Sequence, residues 1–193
     1  MDIINEIIEK MLLGNIQTKQ NILNSHEQKE NIKKIIEVII NAYKNGRKVL
    51  AFGNGGSACD ALHLTGELVG RYKMNRKPLK AIALPADPAV LTCVGNDYGY
   101  ENIFARQVEA HAEKGDIAIG YSTSGTSKNV ILALKKAREM GMVTIGMGGG
   151  KGGDLPNVCD YLFLAPTEKT AHMQEAHLAF THILCEAIDL EFG

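Results

Sequence analysis

The chain has 193 residues, 45% of them hydrophobic, which is enough apolar material for one well-buried domain, and we expect a single domain over 1–193. Lys and Arg number 21 against 22 Asp and Glu, for a formal charge of -1, so no global field draws the protein to nucleic acid or to an anionic membrane. Any phosphate it binds must be held locally.

No apolar run approaches the roughly 18 residues of a membrane helix, and the segment Met1-Asp2-Ile3-Ile4-Asn5-Glu6 lacks the basic start of a signal peptide, so the expected location is the cytoplasm. Cys59, Cys93, Cys159 and Cys185 are far apart, with no C-x-x-C pair. That argues against a zinc knuckle, a redox motif or a disulfide scaffold, and predicts reduced thiols in or near the core.

In chain order, Ile3, Ile4, Ile7, Ile8, Met11, Leu12 and Ile16 recur at three- and four-residue spacings and predict an amphipathic helix from Met1 to about Asn24. A second helix is expected from about Asn31 to Asn45, stopping at Gly46. Residues 1–45 then serve packing or oligomerisation, and 46–193 form the core. Strand signals follow at Lys48–Phe52, Leu79–Leu84, Asp116–Tyr121, Val143–Met147 and Tyr161–Leu164, most with helical stretches between them. This alternation predicts an α/β fold, a doubly wound five-stranded parallel sheet flanked by helices, with strand order left open. In such sheets ligands bind beyond the carboxyl ends of the strands, where the strand order reverses. The loops of interest therefore follow Phe52, Leu84, Tyr121 and Met147. A closing helix over Thr170–Phe192 carries Met173, Leu178, Phe180, Ile183, Leu184, Ala187 and Leu190. The two terminal helices suit either a helical subunit interface or packing on each other.

The loop after the third strand reads Ser122-Thr123-Ser124-Gly125-Thr126-Ser127. One or two hydroxyls there would read as a helix N-cap. This many, with a glycine among them and a helix to follow, favour an anion site built from hydroxyls and unpaired backbone N–H groups. The loop after the first strand, Gly53-Asn54-Gly55-Gly56-Ser57-Ala58, lets a ligand approach the backbone closely. It also fits the G-x-G-x-x-A dinucleotide fingerprint, but the nearest acid, Asp87, lies well beyond the required 20 or so residues, which argues against nicotinamide. Gly148-Gly149-Gly150-Lys151-Gly152-Gly153 has no Ser or Thr after its lysine, so it is no P-loop, and a flexible loop is expected.

The helix opened by Ser57 carries His63, Glu67 and Arg71 at four-residue steps, which places them on one face. The last helix offers Gln174 and His182 among the further histidines His172 and His177. Histidines on an apolar helix are more often packed core groups than ligands. If His63, Glu67, Gln174 and His182 meet, however, two imidazoles, a carboxylate and an amide oxygen would make a divalent site acceptable to zinc. Spacing alone leaves both readings open.

Together with Gly95-Asn96-Asp97-Tyr98-Gly99-Tyr100 and Gln174-Glu175-x-His177, these motifs resemble, in order and spacing, the sugar isomerase (SIS) domain family from about residue 48 to the end. Within that family the chain is similar to the phosphoheptose isomerases. The resemblance implies a flavodoxin-like sheet, a homotetramer, and conversion of sedoheptulose 7-phosphate to D-glycero-D-manno-heptose 7-phosphate through an enediol, for heptose biosynthesis. It implies Ser122, Thr123, Ser124 and Ser127 on the phosphate, and Asn54, Gly55, Gly56, Glu67, Asn96, Asp97 and Gln174 on the sugar. One Zn2+ per subunit would sit on His63, Glu67, Gln174 and His182, with Glu67 and His182 as base and acid. Arg71 falls near the substrate, and His172 stands where a basic or otherwise polar residue is expected. No nucleic acid or membrane partner is implied. Two alternatives are a non-catalytic SIS protein that binds a replication initiator protein, and an isomerase of another sugar phosphate. The joint presence of His63, Glu67, Gln174 and His182 favours the enzyme.

Overall fold

The structure is a computed structural model that describes residues 2–193. Asp2 caps helix α1 (Ile3–Asn24) by accepting from the Ile4 N–H. Ser25 then ends α1 and starts α2 (His26–Lys44), its hydroxyl accepting from the Gln28 N–H. The second helix thus begins five residues before the expected Asn31, because a serine cap starts it while its apolar stripe opens only at Ile32. α2 buries Ile32, Ile35, Ile39, Ala42 and Tyr43. α1 does the reverse: Ile3, Ile4, Ile7, Ile8, Met11, Leu12, Leu13 and Ile16 are all exposed.

The strands are β1 (Val49–Gly53), β2 (Ala81–Ala83), β3 (Ile117–Tyr121), β4 (Val143–Gly149) and β5 (Tyr161–Ala165). They form one parallel sheet in the order β2-β1-β3-β4-β5. Helices α3 (Gly56–Val69), α4 (Pro88–Tyr98), α5 (Ala105–His111), α6 (Lys128–Glu139) and α7 (Thr170–Phe192) cover it. Alternate strand residues face opposite layers. Val49, Ala51, Ile117, Ile119 and Tyr121 pack with α2, α3 and α7, while Leu50, Phe52 and Ala118 pack with α4, α5 and α6. The doubly wound fold expected from the strand and helix alternation is therefore the fold observed. Among the described residues no helix is long and apolar enough to cross a membrane.

The topology locates the ligand crevice. From β1 the chain steps to one side for β2 and to the other for β3, so the strand order reverses between β1 and β3. Gly53 pairs with Tyr121 in the register, so the loops that follow these strands start side by side. Those are the glycine loop and the hydroxyl loop, at the place where open α/β sheets bind ligands.

A buried ion pair sets how α3 meets α7. The Arg76 Nε donates to Asp189 Oδ1 at 3.0 Å, and the pair is almost wholly enclosed. The guanidinium also donates to the carbonyls of Glu67 (2.8 Å) and Leu68 (3.0 Å), closing the C-terminal end of α3. Asp189 in turn accepts from the Lys73 and Met74 N–H groups, which holds its carboxyl below the ordinary range.

Candidate active site

In the hydroxyl loop the side chains bond one another. Ser122 Oγ donates to Ser127 Oγ at 3.0 Å, and Ser124 Oγ and Thr126 Oγ1 are 2.9 Å apart. Ser127 occupies the N-cap position of α6, yet its side chain makes no capping bond. The start of α6 thus lacks a bond from its N-cap residue, while the Val130 N–H of the same turn is taken by Asn129 Oδ1 at 2.9 Å. Gly125 has φ +70°, and a Cβ there would collide with the carbonyl of Gly152. The Gly148–Gly153 segment is accordingly no flexible loop. Gly148 and Gly149 end β4, Gly150 N–H donates to Ala165 O, and Asp154 N–H donates to Gly125 O at 2.9 Å. A cavity of about 440 Å³ lies between the two segments, lined by Thr123, Ser124, Lys151, Gly152, Glu168 and Met173.

The glycine loop is tied to the start of α6. Asn54 and Asn129 exchange two side-chain hydrogen bonds, each 2.8 Å, and the Tyr100 hydroxyl donates to Asn54 Oδ1 at 3.1 Å. Asn96 and Asp97 are exposed at the end of α4, close in sequence to Tyr100, with Asn96 Nδ2 donating to Asp97 Oδ1 at 2.7 Å.

Helices α3 and α7 run side by side in the same direction, with contacts at matched steps. Gln174 packs on Gly56, where a Cβ would lie 2.5 Å from the Gln174 Nε2. His177 Nδ1 lies 4.0 Å from Asp60 Oδ2, and the Nε2 atoms of His182 and His63 are 3.2 Å apart. Glu67 Oε1 lies 3.4 Å from His63 Nε2, and Tyr72 stacks on the His182 ring with centroids 5.7 Å apart. Two imidazoles and a carboxylate therefore gather at the middle of α3. The Gln174 amide lies at the glycine loop, about 10 Å back along α3 from His63.

These donors suit a divalent ion in part. Ligands of a tetrahedral zinc with bonds near 2.1 Å stand about 3.4 Å apart, close to the 3.2 and 3.4 Å separations measured from His63 Nε2. Among the described residues no group of three or more His, Cys, Asp or Glu side chains closes on one point.

Beneath this surface lies a buried polar layer. Asp60 Oδ2, His177 Nδ1, Tyr121 Oη and Thr181 Oγ1 are enclosed without hydrogen-bond partners. Burial pushes the Asp60 carboxyl up to about 6 and the His177 imidazole down to about 4, the latter opposed by the hydrogen bond to Gly148 O. His172, the residue that departs from expectation, is 1% exposed and holds Glu175 through Nδ1 at 2.9 Å while its other nitrogen packs on Gly14 of α1.

The family model for the SIS domain matches residues 16–149. A phosphoheptose isomerase of Clostridium acetobutylicum is 48% identical over 96% of this chain and 95% of its own length. One of Aquifex aeolicus is 46% identical over 95% of each. The chain belongs to the phosphoheptose isomerase family of SIS domain proteins. The solved structure of a phosphoheptose isomerase from Francisella tularensis superimposes with a TM-score of 0.92 at 36% identity, covering 98% of this chain and all (100%) of that one.

In this SIS domain the structure brings His63, Glu67 and His182 together, with Gln174 on the same helix pair, and sets Asn54, Gly55 and Gly56 beside Ser122, Thr123, Ser124 and Ser127 across the strand reversal. It does not place Arg71 on the face of His63 and Glu67. α3 ends at Val69 with Gly70 as its cap, and the Arg71 guanidinium turns away to the Lys73 carbonyl. Nor are all the thiols interior: Cys59 and Cys93 are exposed, Cys159 is half-buried and only Cys185 is buried. Asn129 and Tyr72 are site neighbours that the motif reading passes over, and Tyr100, within the Gly95–Tyr100 motif, is one to which it gives no role. Asn129 had one available signal, its position just inside a helix that starts at a ligand loop.

Proposed function

We propose that this chain catalyses the aldose–ketose isomerisation of sedoheptulose 7-phosphate to D-glycero-D-manno-heptose 7-phosphate. The observation that carries this reading is the meeting of Glu67 and His182 at His63, across from a hydroxyl loop suited to phosphate. The reaction moves one proton between neighbouring carbons. Glu67 takes the C1 proton of the ketose, His182 donates to the carbonyl oxygen at C2, and an enediol forms. Glu67 returns its proton at C2 while the C1 hydroxyl proton returns to His182, which leaves the C1 aldehyde and both groups as they began. Ser122, Thr123, Ser124 and Ser127 hold the phosphate at the far end, so that binding energy remote from the reacting carbons positions them.

In the same reading, His63, Glu67 and His182 hold one Zn2+ per subunit, and Gln174, whose amide packs on Gly56 about 10 Å back along α3, joins them only by moving from there. A bound zinc would polarise the carbonyl and stabilise charge on the enediolate oxygens. Asn54, Gly55, Gly56, Asn96, Asp97 and Gln174 contact the sugar hydroxyls. The exposed isoleucine face of α1 supports assembly through helices as a homotetramer, and the working location is the cytoplasm.

Purified protein incubated with sedoheptulose 7-phosphate should yield the aldoheptose phosphate, lose that activity with a chelator and regain it with zinc. Folded, zinc-supplied protein that makes no product would instead support a non-catalytic binding role.

A further inference from the structure

We infer that Asn129 is a positioning residue that fixes the span between the phosphate loop and the helix carrying the reacting groups. The polarity of its contacts is set from one end. The Val130 N–H, a backbone group that can only donate, bonds Asn129 Oδ1 at 2.9 Å. That oxygen is therefore an acceptor, so it also takes the bond from Asn54 Nδ2, and Asn129 Nδ2 donates back to Asn54 Oδ1, each at 2.8 Å. The Tyr100 hydroxyl supplies the second donor to Asn54 Oδ1, at 3.1 Å. The Asn54 amide is thus held in one orientation, with one N–H left over for a ligand.

The mechanical consequence follows from where the partners sit. Asn129 lies in the first turn of α6, directly after the hydroxyl loop, and is 3% exposed. Asn54 directly precedes the Gly55–Gly56 entry to α3, the helix of His63 and Glu67. The pair is consequently a rigid strut between the phosphate anchor and the chemistry, in addition to the sheet register beneath it. A substrate gripped at both ends feels the strut, whereas a ligand that fills only the anchor does not.

The inference rests on the proposed isomerase reading and has its own test. Wild type, Asn129→Ala and Tyr100→Phe are compared for turnover of sedoheptulose 7-phosphate and for competitive inhibition by inorganic phosphate, with thermal melts to confirm folding. In Asn129→Ala, kcat/KM should fall tenfold or more, mainly in kcat, while the phosphate inhibition constant stays within twofold. Tyr100→Phe, which removes one exposed hydroxyl, should show a smaller loss of two- to fivefold with the same split, and it decides the matter if Asn129→Ala does not fold. Equal losses for substrate and phosphate, or no loss for either, would overturn the strut. Wild type that turns over substrate without phosphate competition would overturn the anchor it acts on. Wild type without turnover would instead sink the isomerase reading.

Discussion

The Nε2 atoms of His63 and His182 stand 3.2 Å apart although the residues are separated by 119 positions in the chain. Two imidazole nitrogens at that distance need a shared proton or a cation between them. With Glu67 Oε1 at 3.4 Å from the same His63 nitrogen, the three side chains form the cluster on which the proposed isomerisation rests.

Replacing Glu67 by Gln keeps the shape of this group and removes the base of the proposed mechanism. Steady-state assay of Glu67→Gln should show kcat lowered by about 10²- to 10⁴-fold, the range of a positioned general base. A folded, metal-loaded variant with near-normal kcat would show that the proton moves elsewhere.

In the proposed reading Ser124 acts at the other end of the substrate. Ser124→Ala deletes one hydrogen-bond donor to phosphate, and KM should rise roughly three- to tenfold with kcat little changed, in line with about 1 kcal/mol for such a bond. An effect confined to kcat would place Ser124 in the chemistry instead.

Much of this arrangement was legible from residue pattern. The i,i+4 placement of His63 and Glu67, the hydroxyl and glycine loops, and the parallel sheet all follow from local periodicity. The alignment of α3 with α7 does not, because it depends on helices far apart in sequence packing in parallel, and only family resemblance linked Gln174 and His182 to His63. The end of α3 was readable in principle: Gly70 is a helix-ending residue, and heeding it would have removed Arg71 from the catalytic face. Arg76 carried no such signal. A lone arginine in a polar connection reads as a surface charge, and only the packed structure pairs it with Asp189.

That pair is the next test. Arg76→Met leaves the Asp189 carboxylate buried without its cation, and chemical denaturation at fixed protein concentration should show a loss of about 3–5 kcal/mol. Adding Asp189→Leu to the same protein should recover a large part of it. A loss below about 1 kcal/mol for the single variant would mean that water or a shifted lysine replaces the guanidinium.

Asp60 predicts a pH dependence. Its carboxyl, pushed up to about 6 by burial, exceeds the ordinary value near 3.9, so its contribution to stability is full below about pH 4 and lost as pH rises through 6. His177, held down to about 4, acts in the opposite sense: its contribution is full above about pH 6.5 and lost as pH falls towards 4. Asp60→Asn cannot ionise and keeps His177. In thermal melts from pH 5 to 8 it should gain on the parent by about 1.4 kcal/mol. A constant difference across that range would show that Asp60 titrates normally.

The central claim is that Glu67 and His182 carry a proton between two carbons of a phosphosugar. The most direct measurement follows sedoheptulose 7-phosphate by NMR in D2O with zinc-supplied protein. The account predicts an aldoheptose 7-phosphate, labelled with solvent deuterium at C2 to the extent that the Glu67 proton exchanges before it returns, and formation at least about 10²-fold slower with Glu67→Gln. Folded wild-type protein that forms no aldoheptose phosphate, or a Glu67→Gln variant that forms it at the wild-type rate, would contradict it.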